Sequence, residues 1–263
     1  MRVIPYSRQW IDESDIKEVI NVLKSDWLTQ GPKVKEFEDA LANFCGAKYA
    51  VAVSSGTSAL HLACLACGLS KNDEVITSPI AFVASANCAL YVGAKPVFVD
   101  IAPDTICLDP QKLEEYISAK SGTRRLSHAT RPKAVIPVHF AGVPCDMEAI
   151  KKLAGKYNLS IIEDACHALG AEYKVNGEWV RVGSCLHSDM TVFSFHPVKH
   201  ITTGEGGAIT TNNQDLYEKL LLLRTHGITK THEKFINKDL AYSPSENSLS
   251  ELTPHSSDVN PWY

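Results

Sequence analysis

Residues 49–67, YAVAVSSGTSALHLACLAC, decide the fold. A short apolar strand over 49–53 gives way at Ser54-Ser55-Gly56-Thr57-Ser58 to a helix over 59–67, which is the strand–turn–helix step of a parallel α/β protein. The step recurs along the chain. Apolar runs at 74–77, 96–100, 134–138, 160–163 and 191–195 predict further strands, and helical spacing predicts helices over 84–92, 110–119, 147–157 and 214–224. Upstream, Ile16, Val19, Ile20 and Leu23, then Phe37, Leu41 and Phe44, mark two amphipathic helices over 12–25 and 34–45 with a turn at 26–32. Residues 118–132 mix Ser, Gly, Thr and Arg without periodicity and predict an exposed loop. After Lys230 regular spacing lapses, and the chain ends in SPSENSLSELTPHSSDVNPWY. An α/β fold with a mostly parallel central sheet is the expectation.

Composition narrows the function. The 263 residues carry 26 Lys and Arg against 30 Asp and Glu, a formal charge of −4, so no bulk electrostatic footprint for nucleic acid or an anionic membrane is present. The most apolar stretch, 80–94, is interrupted by Ser85 and Asn87 and is too short to cross a bilayer. The start, MRVIPYSRQWIDESD, runs into acidic residues without the apolar core of a signal peptide. The eight cysteines sit mostly in apolar segments, the pattern of reduced thiols, which predicts a cytoplasmic protein. The one CxxC, Cys64 to Cys67, falls in a predicted helix with no second pair at zinc-site spacing and reads as small core residues.

In an open parallel sheet, ligands bind beyond the carboxyl ends of the strands. Four ends carry unusual residues. At Ser54 to Ser58, Gly56 permits a tight turn, while helix-start amides and the Thr57 and Ser58 hydroxyls suit a phosphate; taken alone the same residues serve equally as a helix cap. At IIEDACH, 161–167, a buried strand delivers two carboxylates and then His167, an expensive placement without a partner. At FSFHPVK, 193–199, Lys199 is followed by the Gly- and Thr-rich run Thr202 to Gly207, which allows close approach of a planar ligand. At Ser78 to Phe82 an aromatic face is on offer, although core packing would explain it as well. A phosphate cradle, a carboxylate, a lysine and a flat aromatic are the parts that hold pyridoxal 5′-phosphate (PLP). The lysine would form a Schiff base with the aldehyde, the carboxylate would pair with the pyridine nitrogen, and the aromatic would stack on the ring.

The order GTSAL (56–60), EDACHALGA (163–171) and SFHPVKHITTGEGG (194–207) resembles the DegT/DnrJ/EryC1/StrS sugar aminotransferases, a branch of the fold type I, aspartate-aminotransferase-like PLP enzymes. The resemblance implies Lys199 as the catalytic, cofactor-bearing lysine and Asp164 as the partner of the pyridine nitrogen. It further implies His167 beside the cofactor's 3′ oxygen, Phe82 stacked on the ring, and Thr57, Ser58 and Ser194 on the phosphate. Family members that dehydrate sugars carry a His in place of this lysine, so Lys199 argues for transamination. The opening IPYSRQWIDESDIKEVINVLKSDWLTQGPKVKEFE is similar to a subgroup serving pseudaminic acid biosynthesis, which aminates C4 of a UDP-linked 4-keto-6-deoxy-N-acetylhexosamine with L-glutamate as donor. In that reading Thr29, Gln30 and Gly31 lie near the sugar; as residues they also suit a plain interhelical turn.

Family members continue past Pro261-Trp262-Tyr263 into a smaller C-terminal domain and form homodimers, with a later segment reaching the neighbouring subunit's phosphate site. The resemblance thus implies a PLP-binding large domain over 1–230, a polar segment over 231–263, and a C-terminal domain that is largely missing. The face left uncovered should be apolar around Val19, Leu23 and Phe37. Other readings stand beside this one: an aminotransferase for another nucleotide-linked keto sugar, a catalytically incompetent fragment, or a non-catalytic PLP-fold sensor or assembly protein. The sensor reading predicts loss of the lysine or the aspartate, and both are present. An NAD-dependent sugar enzyme would need a GxGxxG turn after the first strand, which is absent.

Overall fold

The computed structural model describes residues 7–121 and 131–228. The expected segment 231–263 lies outside them, as does the middle of the expected loop at 118–132. The flanks of that loop are regular instead: helix α5 (Pro110–Ser121) runs into it and strand β4 (Arg131–Ile136) begins before its end. Absence of periodicity over a few residues does not stop a helix that already has its packing face.

Seven strands form one sheet in the order β1-β9-β8-β5-β4-β2-β3, built from β1 (Tyr49–Val53), β2 (Asp73–Thr77), β3 (Lys95–Phe98), β4, β5 (Ser160–Asp164), β8 (Met190–Ser194) and β9 (Gly207–Thr211). All pairings are parallel except those of β9, which runs antiparallel between β1 and β8. Sequence patterning did not reveal β9, because GAITT comes directly after the glycine run that reads as a turn. A separate hairpin, β6 (Glu172–Val175) with β7 (Glu178–Arg181), was also unexpected, although its Asn176-Gly177 turn, with positive φ at both residues, is the sequence signature of a tight hairpin.

Helices cover both faces, as buried parallel strands require. Helices α3 (Gly56–Ala66), α4 (Ala84–Tyr91) and α7 (Gln214–Arg224) pack one side with Leu60, Ile162, Val192 and Leu220 in the core. Helices α5 and α6 (Met147–Tyr157) close a second core around Leu113, Val135 and Ile150. Helix α2 (Pro32–Cys45) and the β6–β7 hairpin enclose a third, containing Leu41, Phe193 and Phe195. Helix α1 (Glu13–Leu23) starts on an Asp12 capping box with Asp15 and buries none of its residues, so Val19 and Leu23 are exposed as expected. Phe37 is not: it is half-buried, edge-on against Phe195 with ring centroids 5.2 Å apart, because α2 turns that side to the sheet.

Because β1, β8, β5, β4 and β2 are parallel, their carboxyl ends share one edge of the sheet. The start of β9 lies at the same edge: Gly207 pairs with Val53 on one side and Ser194 on the other. No side chain fits there. A Cβ at Gly207 would stand 2.4 Å from the Ser55 carbonyl carbon and oxygen and 2.6 Å from the Gly56 nitrogen, so the start of α3 rests directly on β9.

Candidate active site

A cavity of about 540 Å³ opens at this edge, lined among others by Thr57, Phe82, Asp164, His167, Ser194 and Lys199. Six of the residues singled out in the sequence, taken from four strand ends, therefore share one chamber.

Its cradle is the start of α3. Ser55 caps the helix by accepting the Ser58 amide at 3.0 Å, and the amides of Gly56 and Thr57, the first of the helix, have no helical acceptor. The helix dipole adds partial positive charge at this point. A Cβ at Gly56 would sit 2.9 Å from Ser194 Cβ and 3.0 Å from Cys166 Sγ, so bare backbone faces Ser194 there. Ser58 does not line this chamber. Its hydroxyl lies within hydrogen-bonding distance of the hydroxyls of Ser54 (2.9 Å) and Ser55 (3.0 Å), and it lines a second cavity.

Asp164 ends β5 with its side chain buried at the chamber wall. Ser85 Oγ of α4 donates to Oδ2 at 2.5 Å and the Cys166 amide donates to Oδ1 at 3.2 Å. Both donors are neutral, and no cationic side chain forms an ion pair with Asp164 among the described residues. A buried carboxylate in that state has lone pairs and charge left for a cationic ligand group.

Lys199 sits in the loop after β8, its amide donating to the His196 carbonyl at 2.9 Å. The loop is closed at its base: Phe195 N–H donates to the Gly206 carbonyl (2.9 Å), and the Phe195 carbonyl accepts from the Thr202 hydroxyl (2.8 Å) and the Thr203 amide (3.0 Å). His167 is half-buried, its ring edge-on to Phe140 at 6.4 Å. Burial first, and then the positive Lys199, lower its pKa below that of free histidine. Phe82 stands at the rim, 67 % exposed, with its ring available to a ligand.

Thr29, Gln30 and Gly31 do not reach this chamber's wall. They lie on the link between α1 and α2, where Gln30 has a φ of 53° and lines the second cavity with Ser54, Ser58, His61 and Arg224. Sequence reading also passed over Ser85, Phe140 and Glu205, which belong to the site. Ser85 was visible only as a polar interruption of an apolar helix.

Comparison with known proteins gives the family and the fold. A model of the DegT/DnrJ/EryC1/StrS aminotransferase family matches residues 9–248. The UDP-4-amino-4,6-dideoxy-N-acetyl-beta-L-altrosamine transaminase of Campylobacter jejuni (serotype O:23/36) is 47% identical over 228 residues, 87% of this chain and 56% of that protein. Among solved structures, Helicobacter pylori PseC, an aminotransferase involved in the biosynthesis of pseudoaminic acid, superposes with a TM-score of 0.76 at 39% identity, covering 88% of this chain and 58% of PseC. Spr1654 of Streptococcus pneumoniae in its PLP form gives 0.74 at 33% identity, covering 87% and 59%. The chain spans a little over half the length of these relatives.

Proposed function

The chain belongs to the DegT/DnrJ/EryC1/StrS aminotransferase family, and from that premise we propose that it is a PLP-dependent sugar aminotransferase acting through Lys199. One observation carries the reading: Asp164, buried with neutral donors only, shares a single chamber with Lys199 and an open helix N-terminus. The donor set fits PLP. Thr57, Ser194 and the α3 amides would hold the phosphate, with Ser58 supporting that turn through Ser54 and Ser55. Asp164 would hold the proton on the pyridine nitrogen, Phe82 would cover one face of the ring, and His167 would stand beside its 3′ oxygen.

When bound, PLP supplies an aldehyde for exchange of amines and a ring that takes up the electron pair released at the substrate carbon. Lys199 Nζ would anchor the cofactor and, as a free amine, would relay a proton from the donor's Cα to the cofactor and later from the cofactor to the acceptor carbon.

The finer reading is amino transfer from L-glutamate to C4 of a UDP-linked 4-keto-6-deoxy-N-acetylhexosamine, supported by the 47% identical Campylobacter protein. Thr29, Gln30 and Gly31 enter it as sugar contacts on the sequence resemblance alone. A cytoplasmic homodimer completes the proposal. All eight cysteines are free thiols, and Phe82, Val83, Leu90 and Tyr91 leave an apolar surface beside the chamber that suits a second copy. Among the described residues no helix is long and apolar enough to cross a membrane.

The experiment is an absorbance spectrum of the chain with PLP, followed by borohydride reduction and peptide mapping. A yellow band and cofactor fixed to Lys199 are expected, together with transfer of label from 15N-glutamate to the UDP-4-keto sugar. Cofactor fixed to another lysine would refute the assignment.

A further inference from the structure

Of the two carboxylates that β5 delivers, the proposed chemistry uses only Asp164. Glu163 points to the other side of the strand, as successive strand residues must, and is fully buried. It accepts from His139 Nε2 at 2.7 Å, from the Thr191 hydroxyl at 2.8 Å and from the Ser188 hydroxyl. Burial alone penalises such a carboxylate, and these three donors are what satisfy it. The tautomer of His139 follows from its other nitrogen. The Cys145 amide donates to Nδ1 at 3.1 Å, so Nδ1 bears no hydrogen and the ring proton is on Nε2, facing Glu163.

Resting on the proposed PLP site, we propose that His139 and Glu163 are its positioning pair, holding from the far face of β5 the backbone that aims Asp164 and Phe140 into the chamber. The main chain of His139 is already tied to Asp164 itself. The Asp164 amide donates to the Pro137 carbonyl at 2.9 Å and the His139 amide donates to the Asp164 carbonyl at 3.0 Å. The ring of His139 then locks this bracket twice, to Glu163 next along the strand and to Cys145 across the following turn. That turn carries Phe140, has a left-handed Ala141 with a φ of 52°, and comes close enough to the site that a Cβ at Gly142 would lie 3.0 Å from the His167 carbonyl oxygen. A left-handed alanine persists only where its surroundings hold it; the His139 ring, together with the Cys145 thiol on the Val138 carbonyl (3.2 Å), ties the two ends of this turn. The pair touches neither cofactor nor substrate position; it acts through Asp164 and Phe140.

Two substitutions separate positioning from mere support. H139Q keeps an N–H long enough to donate to Glu163. H139N keeps an oxygen near the place of Nδ1 for the Cys145 amide but falls short of Glu163. In the whole chain loaded with PLP, H139N is expected to lower kcat and cofactor retention by about tenfold with little change in KM for glutamate, the size of one lost hydrogen bond to a buried charge. It should also shift the cofactor absorption maximum and speed hydrogen exchange at the Asp164 amide. H139Q should recover most of each loss. Equal losses in the two variants, or a lower melting temperature with unchanged spectrum and exchange, would overturn the proposal. Should H139N not fold, E163M provides the contrast: it fills a similar volume but has no oxygen to accept from His139 Nε2, so the spectral shift and the faster exchange are again expected, and their absence would overturn the proposal. Absence of a PLP band in the unmutated chain would refute the proposed function instead, and exchange at the Asp164 amide, which needs no cofactor, would still decide the positioning role.

Discussion

Gly207→Ala is the perturbation whose effect the structure constrains most tightly. Its new Cβ would meet the Ser55 carbonyl carbon and oxygen at 2.4 Å and the Gly56 nitrogen at 2.6 Å, all of them backbone atoms. No rotamer change relieves that overlap. Ordinary contact begins at 3.4 Å, so the start of α3 and β9 must separate by about 1 Å. β9 is held on both sides by β1 and β8, so the helix start is the part that yields. Overpacking of this kind costs about 1–3 kcal/mol. For a chain of this size a loss near 2 kcal/mol lowers the melting temperature by roughly 4–8 °C. The same movement carries the Gly56 and Thr57 amides away from Ser194; losing one charge-assisted hydrogen bond to the phosphate, about 1.5–3 kcal/mol, weakens PLP binding roughly tenfold to a hundredfold. The assay is thermal unfolding followed by PLP titration. Gly155→Ala is the control, because Gly155 lies in the exposed body of α6 and a Cβ there would meet nothing within 4 Å. It should raise stability by about 0.5–1 kcal/mol and leave PLP binding alone. A Gly207→Ala protein with unchanged melting temperature and PLP affinity would refute the claim that α3 rests on β9.

Lys199→Ala should abolish turnover while some PLP remains bound through the cradle and Asp164, and borohydride should then fix no cofactor to the chain; retained turnover would count against the assignment. Asp164→Asn should also inactivate, since an amide keeps the shape and the Ser85 contact but lacks the charge that protonates the ring nitrogen, and a rate within a few-fold of the original would sink that role. His167 has a folded-state pKa lowered by burial and by Lys199, so the unfolded chain binds the proton more tightly. Its contribution therefore makes stability fall as pH drops from the unfolded value near 6.5 toward the lower folded one. Urea unfolding between pH 7.5 and 5 should show a shallower fall for His167→Gln than for the unmutated chain, and identical slopes would show that His167 titrates alike in both states.

Local pattern alone determined the parallel α/β class and the strand ends that matter, because apolar runs and turn residues act within a few positions of one another. Thr57, Asp164, Ser194 and Lys199 were legible for that reason: each lies at or just beyond the end of a strand, and an open sheet gathers such residues at one edge. The Asn176-Gly177 turn of the β6–β7 hairpin is a signal of the same local kind. Other features depend on pairings no window contains. Ser85 donates to Asp164 across 79 positions, and His139 meets Glu163 across 24, so neither partner marks the other in the sequence. β9 is a strand only because β1 and β8 leave an antiparallel slot between them, and Gly207 must be glycine only because that slot brings it against Ser55. Ser58 turns to a second cavity because the cap at Ser55 fixes which side of the helix start it presents, and Gln30 reaches the same cavity from the link between α1 and α2. Sequence spacing sets which residues reach the edge of the sheet; tertiary packing, through steric exclusion and the need to satisfy buried charge, decides which of them face the same chamber.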